Sequence, residues 1–208
     1  MPDFSIEQSF NQNVIGIDEV GRGPLAGPVI SCAFIFFSAS INPKDLSFID
    51  DSKKLTIKKR QVAMKKIIEL KKNKKINFKL GMASVEEIDQ HNILEATKIS
   101  MRRAVKKLTP TPTPLIIDGN IDLNLSDFPS KGILKGDQQS LSIAAASIMA
   151  KIHRDRYMQF LSFQFPDYDW SSNAGYGTKK HIEQIYKKGI TIHHRKSFEP
   201  IKSLIHNK

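Results

Sequence analysis

The stretch Val14-Ile15-Gly16-Ile17-Asp18-Glu19-Val20-Gly21-Arg22-Gly23-Pro24-Leu25-Ala26-Gly27-Pro28-Val29 decides how this chain of 208 residues folds. Its apolar start ends in the adjacent acids Asp18 and Glu19 and then meets Gly21, Gly23, Pro24, Gly27 and Pro28. That is the pattern of a strand running into a glycine-rich turn. Val29 to Phe37 is β-branched, aromatic and apolar at nearly every position, as in a strand buried on both faces. The two segments are expected to lie side by side as a hairpin-like pair.

Further along, Thr56 is placed to cap a helix whose apolar positions Ile57, Met64, Ile67 and Ile68 recur at roughly helical spacing. Ile76 to Ala83 alternates as a third strand, and Ser84-Val85-Glu86-Glu87 has the form of a capping box. It opens a helical region that carries Ile93, Ala96, Ile99, Ala104 and Leu108 up to Thr109. Pro110, Pro112 and Pro114 stop that helix, and Leu115-Ile116-Ile117-Asp118-Gly119 follows as a short strand ending in a carboxylate. Gly132 to Gly136 reads as another short strand, and Asp137 as the N-cap of a long helix over Gln138 to Phe160. Thr178 to Lys188 reads as a helix stopped by Gly189, and Ser197 as the cap of one more short helix. Strands and helices in this order predict an α/β chain with a mixed sheet flanked by helices.

Composition bounds the function. Apolar residues make up 40% and charged residues 25%, enough to build a packed core, which excludes disorder along the whole chain. The lone cysteine, Cys32, has no partner for an internal disulfide, and no run approaches the ~20 apolar residues of a membrane-spanning helix. The segment Met1 to Glu7 lacks the positive charge and apolar run of a secretory signal, so a cytoplasmic protein is expected. The net charge is +11, and +10 of it lies between Lys53 and Lys75, where eleven basic residues accompany the single acid Glu69. A field so concentrated attracts a polyanion, nucleic acid first among them; a solvated helix face is the plainer reading.

In an otherwise basic chain, acids stand at strand ends or caps in three places: Asp18-Glu19, Asp118 and Asp137. Side chains at strand ends in α/β sheets converge on ligands. Four converging carboxylates repel one another, and a hard divalent cation such as Mg2+ or Mn2+ relieves that repulsion. Zinc is excluded as an alternative by the single cysteine and by histidines that form no His-x-x-x-His pair. Taken singly, each acid is better explained as an ordinary cap or strand-end residue, and only their convergence favours the metal. Gly21-Arg22-Gly23 is read either as a tight turn or as a loop that brings free backbone N–H groups and an arginine to a phosphate.

The opening stretch resembles the amino-terminal signature of bacterial ribonuclease HII. The resemblance continues in Asp50-Asp51-Ser52-Lys53-Lys54-Leu55, in Ala83 to Asp89 and in Ile117-Asp118-Gly119. It also covers Lys135-Gly136-Asp137, Ile143 to Lys151, Arg154-Asp155-Arg156, Gly175-Tyr176-Gly177-Thr178 and His194-Arg195-Lys196-Ser197-Phe198. It implies an α/β RNase H-like fold, a central mixed five-stranded sheet flanked by helices, with residues 1–176 as the catalytic core and 177–208 as a helical carboxy-terminal extension packed on it. It implies that Asp18, Glu19, Asp118 and Asp137 are the catalytic and metal-binding acids of a two-metal site for Mn2+ or Mg2+. Gly21, Arg22 and Gly23 then match the motif that senses the ribose 2′-hydroxyl, and Tyr176 the ring that packs on the neighbouring deoxyribose. Lys53, with Lys54, is expected at a substrate phosphate, with Arg60, Lys65 and Lys66 as outer guides.

The implied substrates are RNA–DNA hybrids and duplex DNA containing ribonucleotides, cut on the 5′ side of the ribonucleotide to leave 5′-phosphate and 3′-hydroxyl ends, by a monomer with no membrane partner. Two departures stand out: Asn173-Ala174 where the family usually carries a basic residue, and Gln138-Gln139 where small or basic residues are usual. A nucleic-acid-binding module without catalysis would account for the charge alone, and a related nuclease acting on all-DNA duplex would account for the acids.

Overall fold

The structure is a computed structural model and describes residues 2–37, 41, 46–49 and 55–206. Lys53 and Lys54, and with them most of the Asp50 to Leu55 motif, lie outside the described residues. Among the described residues five strands form one sheet: β1 (Ile15–Val20), β2 (Val29–Phe36), β3 (Ile76–Ala83), β4 (Leu115–Asp118) and β5 (Ser130–Ile133). Their spatial order is β3-β2-β1-β4-β5. β1 pairs antiparallel with β2 and parallel with β4, and β4 pairs parallel with β5, so the sheet is mixed.

The same residues form seven α-helices: α1 (Ser5–Gln8), α2 (Ile57–Lys72), α3 (Val85–Leu108), α4 (Leu141–Gln164), α5 (Trp170–Asn173), α6 (Lys179–Lys188) and α7 (Ile201–His206). The period of two along β1 and β2 sorts side chains between the two faces. Ile15, Ile17, Ala33 and Ile35 pack with Met101, Ala104 and Val105 of α3, together with Leu115 and Ile117 of β4. Cys32, Phe34 and Phe36 face the other way, onto α4 and onto Ala63 and Ile67 of α2. Gly16 also faces α4, and a methyl group there would run into the backbone of Ser142 and Ile143, so glycine lets α4 lie directly on β1.

Local capping signals hold where expected. The Thr56 side chain accepts from Lys59 N at 3.3 Å, and Thr178 caps α6, which ends at Gly189. Ser84 and Glu87 close the capping box of α3, although Asn92 breaks that helix with a left-handed φ of 66°. Three expectations are corrected. The fifth strand runs over Ser130–Ile133, two to three residues earlier than read. Ser197 caps no helix: its N–H and hydroxyl both bind Asp89, and α7 begins at Ile201.

Asp137 is not the N-cap of α4. It sits in a 3-10 turn over Gly136–Gln138, and α4 starts at Leu141 behind the cap Ser140, whose Oγ accepts from Ile143 N at 3.1 Å. Glu7 of α1 decides this. Its Oε1 accepts from Ser140 Oγ, Ser142 Oγ and Ser142 N at 2.6–2.8 Å, bringing a carboxylate to the helix N-terminus where the dipole favours one. Beyond α4, Tyr168, Trp170, Ile185 and Ile201 pack with Leu25, Ala26, Met158 and Leu161 in one apolar cluster. Among the described residues no helix is long and apolar enough to cross a membrane.

Candidate functional site

The parallel strands β1, β4 and β5 point their carboxyl ends the same way, and all four candidate acids lie at that edge. Ile17 pairs with Ile117, so Asp18 and Asp118 follow at equivalent positions on neighbouring strands. Ile17 and Ile117 share the α3 face, so period two turns Asp18 and Asp118 together toward the α4 face. Asp118 Oδ1 accepts from Gly136 N at 2.7 Å, which ties the turn carrying the buried Asp137 to the same edge. Gly136 must be small there, because a Cβ would press on Ile143 and Ile133.

Electrostatics marks the place. Burial, then the charges of Glu19 and Asp118, raise the Asp18 carboxyl well above the usual carboxylate range, against hydrogen bonds from Ser147 and from Glu19 N. Burial and Asp118 also raise Glu19, while Arg22, 3.6 Å away, pulls it down. Glu19 Oε2 is buried with no hydrogen-bond partner among the described residues. Burying a carboxylate without donors or a counter-charge is costly. Among the described residues no three His, Cys, Asp or Glu side chains are arranged so as to hold a metal ion as they stand. The ligand set nonetheless fits a hard divalent cation: carboxylate oxygens only, mutually repelling, with Glu19 Oε2 lacking a hydrogen-bond partner among the described residues.

The substrate-reading candidates also come together. Gly21 has a φ of 100° and is buried against Arg154, so a side chain is excluded there on both counts. Arg22 and Gly23 are exposed, and the Tyr176 ring lies 3.4 Å from where a Cβ on Gly23 would stand. Leu25 N donates to Gly175 O at 2.8 Å, joining the two loops. Arg22 is paired with Glu19 rather than free for a phosphate. The departure at Asn173-Ala174 helps to shape the Tyr176 loop. Asn173 Oδ1 and O accept from Gly175 N and Tyr176 N, and Ala174 O accepts from Arg154.

Sequence reading gave no role to the residues that hold these loops. Arg154 donates to the carbonyls of Pro28, Ala26 and Ala174 at 2.9–3.0 Å, and Arg195 to those of Gly21, Arg22 and Gly27. Both are buried; burial lowers them to about 10 and about 9, which leaves them charged at neutral pH. The available signal was Arg154's place on the apolar stripe of α4, four residues from Ala150 and from Met158.

Behind Tyr176 lies a fixed chain of tautomers. The Trp170 indole N–H donates to His181 Nε2 at 3.0 Å, so the His181 proton is on Nδ1 and donates to Tyr176 O at 2.8 Å. His194 Nδ1 accepts from Thr191 N, which puts its proton on Nε2, 3.2 Å from His181 Nε2. Burial lowers both histidines, His194 to about 3, and the pair is neutral. Of the expected outer guides, Lys65 and Lys66 are exposed on α2, whereas Arg60 binds Leu55 O and lies 3.8 Å from Asp155.

Known proteins resemble this chain throughout. The family profile described as Ribonuclease HII matches residues 15–201. A ribonuclease HII of Wolbachia sp. subsp. Brugia malayi (strain TRS) is 50% identical over 200 residues, covering 96% of this chain and 94% of that protein. One of Staphylococcus carnosus (strain TM300) is 50% identical over 193 residues, covering 92% of this chain and 70% of that protein. Among solved structures, the ribonuclease H2 from Pyrococcus horikoshii OT3 matches with a TM-score of 0.77 at 22% identity, over 94% of this chain and 98% of that one. Bst-RNase HIII in complex with Mn2+ matches with a TM-score of 0.66 at 18% identity, over 94% of this chain and 70% of that one. These two carry the fold, which is RNase H-like as expected. A profile match spanning all five strands, and half the residues shared with relatives along almost the full length, establish that the chain belongs to the ribonuclease HII family.

Proposed function

We propose that this chain, an endonuclease of the RNase H class, cuts duplex DNA on the 5′ side of an embedded ribonucleotide as well as the RNA strand of hybrids, leaving 5′-phosphate and 3′-hydroxyl ends. The observation that supports the site is the placing of the buried Asp18 and the half-buried Asp118 at equivalent positions on adjacent parallel strands, beside a Glu19 oxygen that has no hydrogen-bond partner among the described residues. Asp18 and Asp118 would be the central ligands, with Glu19 and Asp137 completing two sites for Mn2+ or Mg2+. Cations so held supply charge stabilisation at the attacked phosphate and a water of lowered pKa. Ser147 orients Asp18 through its hydrogen bond, and Gly136 N orients Asp118.

Gly21-Arg22-Gly23 would meet the 2′-hydroxyl, the group that distinguishes RNA from DNA. Tyr176, packed on Gly23, would take the next sugar, where a 2′-hydroxyl crowds the ring. The exposed lysines of α2 would track phosphates, so affinity should fall as salt rises. We read the protein as a cytoplasmic monomer, with residues 177–208 packed on the core as part of one unit.

The test is a labelled duplex with one ribonucleotide, incubated with Mg2+, Mn2+ or EDTA. Cleavage 5′ of the ribonucleotide with either metal, lost in EDTA and in Asp118→Asn while binding persists, is expected. Near-wild-type cutting by Asp118→Asn overturns the site. Binding without cleavage would indicate a recognition module, and cutting of all-DNA duplex a different nuclease.

A further inference from the structure

The two exposed residues of the glycine-rich loop offer a pair of free donors. Neither Arg22 N nor Gly23 N has an acceptor among the described residues, whereas the carbonyls of the same two peptide units, Gly21 O and Arg22 O, are both taken by the buried Arg195 guanidinium. A trans peptide is planar, and its C=O and N–H point in opposite directions. Drawing the two carbonyls inward onto Arg195 therefore turns the two N–H groups away from it, on a loop whose Arg22 and Gly23 are exposed. We propose that Arg195 is the positioning residue that sets the direction of the Arg22 and Gly23 N–H groups and thereby the preference for a ribonucleotide; this rests on the reading of the loop as the ribose sensor.

The chemistry of the clamp requires arginine. Three carbonyls, those of Gly21, Arg22 and Gly27, are bound by Nη1, Nη2 and Nε of one planar group. The hydrogen bond Arg195 N to Leu25 O and the stacking of the guanidinium 5.0 Å from the Phe198 ring centroid fix where that plane lies. Lysine keeps the charge and the stem but brings a rotatable point donor without the fork. It can hold one carbonyl firmly, which frees the other peptide unit to turn.

Arg195→Lys tests this by fluorescence anisotropy in Ca2+, comparing a duplex with one ribonucleotide against the same duplex in all-DNA form. The variant should bind the all-DNA duplex as the wild type does, while its preference for the ribonucleotide falls by about tenfold, the worth of one to two hydrogen bonds. A general loss of structure would lower both affinities together. A preference equal to that of the wild type overturns the role of Arg195. If the wild type itself shows no preference, the reading of the loop fails first and the inference with it.

A second measurement needs no variant: amide NMR of the wild-type protein, titrated with each duplex. The Arg22 and Gly23 amide signals should shift with the ribonucleotide duplex well beyond their shift with all-DNA. Equal shifts overturn the proposal even if Arg195→Lys fails to fold.

Discussion

Replacing Asp18 with Asn should make the metal-free protein more stable while abolishing cleavage. Burial raises the Asp18 carboxyl most, and the charges of Glu19 next along its strand and Asp118 on the neighbouring strand raise it further. Paired strands run about 4.8 Å apart. Two unit charges at that distance repel by about 3 kcal/mol at an effective dielectric constant of about 20. Asparagine removes the repulsion and keeps an oxygen for Glu19 N, which donates at 2.7 Å. The bonds from Glu19 N and Ser147 become weaker when their acceptor is neutral, which returns about 1–2 kcal/mol. The net gain is about 1–2 kcal/mol, or about 3–6 °C in Tm for a chain of this size.

The assay is thermal unfolding in EDTA at neutral pH, followed by the same scan with Mn2+. Asp18→Asn should melt above the wild type in EDTA and gain less from Mn2+, while cleavage of a single-ribonucleotide duplex falls to background. A variant that melts at or below the wild type in EDTA and gains equally from Mn2+ would refute both the crowding of charge and the assignment of Asp18 as a ligand.

Tyr176→Ala should lower cleavage at an isolated ribonucleotide roughly five- to tenfold, the worth of one aromatic contact. Its Tm should change little because the ring is 48% exposed; steady-state kinetics beside a thermal scan decide it. Acid should weaken the carboxy-terminal packing: His194 is held at about 3, below its unfolded value near 6.5, so its contribution is complete above pH 6.5 and is lost as pH falls toward 3. At about 1.4 kcal/mol per pH unit the loss between pH 6.5 and pH 4 is about 3 kcal/mol, and urea unfolding of the wild type against His194→Asn should show a shallower acid loss in the variant. Gly16→Ala should cost about 1–3 kcal/mol by pushing α4 off β1, read as a lower Tm with weakened near-UV signal from the buried Trp170.

Features that depend on near neighbours along the chain are legible in the sequence. The pairing of β1 with β2, the caps Thr56 and Thr178 and the Ser84-Glu87 box all follow from residues close together in order. Asp137 shows where such reading stops. Asp137 and Ser140 are both good caps, and the choice is made by Glu7, more than 130 positions away, which binds Ser140 and Ser142. The acids could be read as strand ends, but the approach of Asp118 to Asp18 and Glu19 depends on β4 lying beside β1, a long-range fact of strand order. Arg154 and Arg195 were hidden for a different reason. In a chain with 32 lysines and arginines, nothing in composition separates the two that carry no surface charge from those that do.

Two sets of charge of opposite sign, Arg154 and Arg195 fully buried and Asp18 buried beside the half-buried Glu19 and Asp118, lie within this edge of the molecule, and the chain treats them differently. Arg154 and Arg195 each find three backbone carbonyls, so their burial is compensated from within and they fix the loop that faces the substrate. Asp18, Glu19 and Asp118 have one another as neighbours, a few N–H and hydroxyl donors and, for one Glu19 oxygen, no donor at all among the described residues. Apart from the Arg22 guanidinium 3.6 Å from Glu19, compensation on the acidic side has to come from outside the chain. Substitutions that neutralise or shorten these groups should therefore act in opposite directions: Asp18→Asn raises the Tm of the metal-free protein, and Arg195→Lys lowers it by leaving carbonyls without donors. If both changes lowered the Tm, the acidic edge would be a structural feature satisfied by the fold itself rather than a place that a cation completes.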